Sequence, residues 1–143
     1  MLKGQIYLIG SLRNPLVTDL GNALRKEGFS IFDDWMAAGP EADDYWQKYE
    51  TEKGHTYGEA LRGAAARNVF EFDKRHLDAS AGAVLVMPAG RSGHLELGYM
   101  VGSGKWTAIY FDKTPERYDV MYQFADNICF NYDELLGALK NAK

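Results

Sequence analysis

The sequence has a single cysteine, Cys129, among its 143 residues. That excludes an internal disulfide and a zinc site built from several cysteines. Cys129 lies in the apolar run NICF, the setting of a buried, unreactive thiol. No apolar run approaches the ~18 residues that a membrane-spanning helix needs. The opening MLKGQIYLIG has one lysine and a short apolar run, but lacks a signal peptide's length and cleavage site. A cytoplasmic protein is expected, with no membrane as a partner. Excess positive charge is also missing. A net charge of −4 leaves no footprint for a nucleic-acid backbone, so no nucleic-acid polymer is expected either. The histidines, His55, His76 and His94, lack metal-ligand spacing, and neither a metal nor a cofactor is expected. His55 and His76 read as surface residues. No G-x-x-x-x-G-K-[ST] occurs anywhere. There is no G-x-G-x-x-G after the first strand and no G-x-S-x-G, which weighs against a P-loop, a Rossmann dinucleotide site and an α/β-hydrolase triad.

What is present is ordinary for a soluble globule: 46% hydrophobic and 25% charged residues. The chain is long enough for one domain with a real core, so residues 1–143 are read as one unit. Apolar, β-rich runs predict strands at Gln5–Gly10, Phe29–Phe32, Ala81–Met87, Trp106–Phe111 and Asn127–Phe130. Helical spacing after Pro15 runs to Lys26, with Gly28 placed to end the helix. His55–Ala79 is helical in composition, with an apolar stripe at Leu61, Ala65, Val69, Phe72 and Leu77. A short helix is expected from Pro115 through Phe124 and a closing one over Tyr132–Lys140. Trp35–Lys53, with Gly39-Pro40, acids and two tryptophans, reads as a long loop. It is either a lid over a flat ligand or a short helix that Trp46 and Tyr49 pin to the body. Strands alternating with helices predict a doubly wound parallel sheet.

The stretch SGHLELGYMVGSGK, Ser92–Lys105, follows the third strand. Gly98 and Gly102 share one helical face. Their cost in a helix, about 1 kcal/mol each, predicts close packing of that face on the sheet. Glu96 is expected in the helix's first turn, just beyond the strand's carboxyl end, where open α/β sheets bind ligands. A first-turn acid also suits the helix dipole without any further role. The same rim collects Ser11, Arg13, Asp33, Asp34, Arg91, Ser92 and His94. Asp73 and Asp78 lie near the end of a helix antiparallel to the third strand. From geometry alone both read as solvated.

These residues resemble a known family. SGHLELGYMVGSGK is similar to the glycine-glutamate-leucine-glycine-tyrosine segment of the nucleoside 2-deoxyribosyltransferases and the related 2′-deoxynucleoside 5′-monophosphate N-glycosidases. IYLIGSLRNP, FDKRHLDASAGAVLV and YDVMYQFADNICFNYDEL resemble further segments of it. The resemblance implies a flavodoxin-like five-stranded sheet and cleavage of the bond joining a base to deoxyribose. Glu96 would be the nucleophile, forming a covalent glycosyl-enzyme. Asp73 would help bind the sugar or protonate the leaving base. Tyr7 would orient the Glu96 carboxylate. Gly10, Ser11, Arg13, Ser92 and Gly93 would line the sugar side, and Asp33 and Trp35 are candidates for the base side. Family members are oligomers, so a homodimer or larger assembly is implied, with Asp119 and Met121 reaching a neighbour's site.

Two departures from the phosphate-using branch bear on the substrate. Gly90 stands where that branch has a serine, and Asp119 where a second serine contributes from the partner. A carboxylate beside a 5′-phosphate is repulsive, which favours an unphosphorylated nucleoside. Ser11, Arg13, Arg91 and Ser92 offer the opposite argument, since together they can bind a phosphate. Two other readings share a sheet with polar groups at its rim. One is a TIR-like domain cleaving NAD; the other is a non-catalytic domain that binds a nucleotide and signals through its oligomer.

Overall fold

Five short runs rich in aliphatic and aromatic residues become the strands of one sheet: β1 (Gln5–Ile9), β2 (Ser30–Phe32), β3 (Gly82–Val86), β4 (Trp106–Tyr110) and β5 (Asn127–Cys129). The computed structural model describes residues 1–143 and orders the strands β2-β1-β3-β4-β5. Every neighbouring pair is parallel. This is a flavodoxin-like doubly wound sheet. Its central strand, GAVLV, is buried at every position, as a strand covered on both faces must be.

Strand alternation sorts the core into two halves. Ile6, Leu8, Val84, Val86, Ala108 and Tyr110 face one side, covered by α1 (Leu16–Lys26) and α6 (Tyr132–Asn141). Tyr7, Ile9, Ala83, Leu85 and Ile109 face the other, covered by α4 (Ala64–Ala79) and α5 (Arg91–Gly102). Val17, Leu20 and Leu24 give α1 its buried stripe, and Gly28, at φ +93°, turns the chain into β2. Asn131 opens α6 by accepting the Glu134 N–H at 2.9 Å.

Several expectations are corrected. The helical stretch over His55–Ala79 is two helices, α3 (Tyr57–Leu61) and α4. Thr56 and Glu59 form a capping box that starts α3, and Gly63, in extended backbone, separates it from α4. The apolar stripe is mostly exposed: only Leu77 of α4 is buried, while Leu61, Val69 and Phe72 are 52%, 61% and 37% exposed. The reason is length. Sixteen helical residues span about 24 Å, whereas a five-residue strand covers ~16 Å. Because α4 ends where β3 begins, its first turns overhang the rim.

Of the two readings of Trp35–Lys53, the structure has the short helix: a 3-10 turn at Asp34–Ala38 precedes α2 (Ala42–Glu52), of which only Glu50 is buried. No helix starts at Pro115. Residues 113–119 form bends and irregular backbone, and a 3-10 turn at Val120–Phe124 is capped by Asp119, whose carboxylate accepts the Met121 N–H at 2.8 Å. Finally, Gly98 and Gly102 face solvent, with nothing near the position of an added Cβ. The residues α5 seats on the sheet are Gly93, Leu97 and Met100. No helix is long and apolar enough to cross a membrane.

Candidate active site

The β1 sequence QIYLI sends Tyr7 to the face shared by α4 and α5. Its ring packs against Phe32 at 5.0 Å. Its phenol points at Glu96 and feels the charges of both Glu96 and Asp73. Three residues from positions 7, 73 and 96 thus meet in one groove between two helices.

Glu96 reaches this groove because Gly93 lets α5 approach the sheet. An added Cβ at Gly93 would lie 3.2 Å from Leu85 and 3.3 Å from Ile9. Glu96 stands in the second turn, since α5 begins at Arg91, not in the first turn as expected. It therefore sits below the rim, lining a groove against the sheet instead of capping the helix. Asp73 arrives from α4. It lies six residues, or about 9 Å, above that helix's end. That height places it beside Glu96, away from the opposite rim.

Burial sets the electrostatics. Glu96 is largely desolvated and faces the Asp73 charge, which pushes its pKa up to about 7. The Tyr7 phenol acts in the opposite direction by donating toward the carboxylate, though the contact is looser than a well-formed hydrogen bond. Asp73 is also raised by burial, partly offset by the nearby His76. Burial and the two carboxylates push the Tyr7 phenol far up, so it stays a proton donor. Two carboxyls with raised affinity for protons beside a fixed phenol are suited to proton transfer, and Glu96 changes charge near neutral pH.

The rim residues behave differently. Gly10 cannot carry a side chain, because a Cβ would sit 2.9 Å from Val17. Trp35 lies over this turn and its indole donates to the Leu8 carbonyl at 2.7 Å. Asp33 is buried and turned to α1, where Arg25 holds it at 2.5 Å and Gly21 leaves room for the pair. Ser11 accepts the Arg13 N–H, and Arg13 is paired with Asp44 of α2. Ser92 is exposed in the first turn of α5. Asp119 and Met121 are exposed at the start of the 3-10 segment. No group of three His, Cys, Asp or Glu side chains is placed to hold a metal.

Two histidines expected at the surface or left without a role are integrated. His76 stacks on Phe32 at 4.0 Å and touches Phe72, so it walls the groove below Asp73. Its spacing of three from Asp73 on one helix was the available signal. His94 places Nδ1 2.7 Å from the Gly90 carbonyl and Nε2 2.9 Å from the Tyr122 hydroxyl. The carbonyl requires a proton on Nδ1, so neutral His94 accepts from Tyr122 and ties α5 to the 3-10 segment. His55 is also half-buried, 2.5 Å from the buried Glu50. Cys129 is 2% exposed and its thiol is pushed up to about 11 by burial.

No family model matches the chain, and no curated protein sequence matches it. Among solved structures, the chain is similar to the 2-deoxyribosyltransferase of the psychrotolerant bacterium Bacillus psychrosaccharolyticus. The TM-score is 0.61 at 18% sequence identity, over 97% of this chain and 92% of that one. The likeness is one of fold, and it spans nearly the whole of both chains.

Proposed function

We propose that the protein cleaves the N-glycosidic bond of 2′-deoxyribonucleosides or their 5′-monophosphates, passing the deoxyribose to another base or to water. The observation that carries this reading is the meeting of Glu96, Asp73 and Tyr7 from three separate elements in one groove. The similar fold of a 2-deoxyribosyltransferase supports it.

In this mechanism ionised Glu96 attacks C1′. The bond to the base breaks, and its electron pair leaves with the base. In the reactive state the one proton held by the two carboxyls sits on Asp73, which supplies it to the departing base. The positive, oxocarbenium-like transition state is matched by a carboxylate. Tyr7 holds that carboxylate in line. In the second step a base nitrogen or water attacks C1′, Glu96 is released, and Asp73 takes the proton back. Gly10, Ser11, Arg13, Trp35, Ser92 and Gly93 border the sugar and base, and a second copy of the chain brings Asp119 and Met121 to the site.

Incubation with one deoxynucleoside, with and without a second free base, tests the reading by chromatography. A new nucleoside identifies a transferase, and free base alone a hydrolase. Product formed only from NAD, or none from any substrate, overturns it.

A further inference from the structure

α2 is held to the body by few ties. Only Glu50 of its residues is buried, and the Trp46 indole N–H is buried without a partner. Its polar links outside its own segment are Glu50 to His55 at one end and Arg13 at the other. Arg13 comes from the loop that continues β1 beyond Ile9. Its Nη2 donates to Asp44 at 2.7 Å, and its Nε donates to the Pro40 carbonyl at 3.2 Å. The next residue, Asn14, donates to the Pro88 carbonyl at 3.5 Å, so this loop borders the loop that opens α5. Arg13 therefore stands at the rim where β1 and β3 both end, and it is paired with a carboxylate 31 positions along the chain in an ion pair that stays open to solvent.

We infer that Asp44 is a specificity-determining residue: by pairing with Arg13 it sets the site for a substrate with an uncharged 5′ end. The inference rests on the proposed glycosidic reading. A guanidinium has five N–H donors, and two are used here. Those remaining can bond a neutral hydroxyl without disturbing α2. A phosphate dianion either displaces Asp44, leaving two like charges side by side, or shares the guanidinium with it at close range. Either way the dianion loses what an unpaired arginine would give it. Glu41 and Asp43, in the same stretch as Asp44, add to the negative field.

Calorimetry with a deoxynucleoside and with its 5′-monophosphate tests this on the wild type, Asp44→Asn, and Asp44→Asn combined with Arg13→Ala. Asp44→Asn is expected to improve monophosphate binding relative to nucleoside by roughly two- to fivefold. The gain shrinks with added salt and disappears when Arg13 is also removed. An unchanged ratio, or a gain that survives loss of Arg13, overturns the role of Asp44. Base release measured in parallel separates the two ideas. Release with an unchanged ratio overturns Asp44 alone. A shifted binding ratio without any base release supports Asp44 and overturns the reaction. If neither ligand binds any of the three proteins, both ideas are overturned.

Discussion

The two faces of the sheet are built to different ends. Under α1 and α6 the core is closed and apolar: Leu24, Leu135 and Leu139 are fully buried among Ile6, Leu8 and Val84. Under α4 and α5 the same strands present Tyr7, and the helices above it contribute Glu96 and Asp73. One face buries carbon against carbon. The other leaves a groove in which ionisable groups lose water without gaining full partners. Such groups cost stability, and they are the ones whose proton affinity shifts. The comparison separates what holds this protein together from what it offers to chemistry.

The sharpest way to break that division is Glu96→Gln. Turnover is expected to fall by roughly ten-thousandfold or more while the fold survives, checked by base release and circular dichroism. Turnover near wild type would remove Glu96 from the mechanism. On the closed face, Leu135→Ala should cost about 2–5 kcal/mol by urea unfolding, with kcat per folded molecule retained. A large loss of kcat instead would mean that the faces are coupled.

A third test asks whether the groove carries a stability cost. Glu96 has a folded pKa of about 7 against an ordinary value of 4.5. Between those values the folded state holds more protons than the unfolded one. Stability from this group is therefore present below about 4.5, lost as pH rises to about 7, and level above. The loss should be about 1–2 kcal/mol after discounting for partial exposure, and Glu96→Gln should remove that slope from pH-dependent urea unfolding. The proposed nucleophile must be ionised and the proposed acid protonated, so kcat/KM should be bell-shaped, rising with pH as Glu96 ionises toward about 7 and falling at higher pH as Asp73 loses its proton.

The smallest test compares two glycines of α5. Gly93→Ala forces a Cβ against Leu85, Ala89 and Ile9 and should destabilise by about 1–3 kcal/mol. Gly98→Ala meets nothing and should stabilise by up to about 1 kcal/mol. Equal effects in thermal unfolding would mean that α5 does not seat through Gly93.

Much of the architecture was legible in local pattern. The strands at Gln5, Gly82 and Trp106 announce themselves through apolar runs, and α1 through Val17, Leu20 and Leu24. Where the reading failed, the deciding contacts were remote. Gly98 and Gly102 fit a packed face by spacing, but the register of α5 on the sheet follows Gly93, Leu97 and Met100. Val69 and Phe72 have helical periodicity, yet α4 is longer than the strand beneath it. Asp33 looked like a free rim acid, but Arg25 from α1 claims it.

The sequence by itself determined the alternation of strand and helix, the caps at Thr56 and Asn131, the absence of disulfide chemistry, and the segment that carries Glu96. These depend on neighbours a few residues apart, and local sterics and hydrogen bonding act over that range. Only the tertiary structure decided that Tyr7, Asp73 and Glu96 share a groove, that His76 walls it, and that Arg13 is paired with Asp44. Desolvation and charge pairing depend on distance in space, and packing the helices on the sheet is what sets those distances.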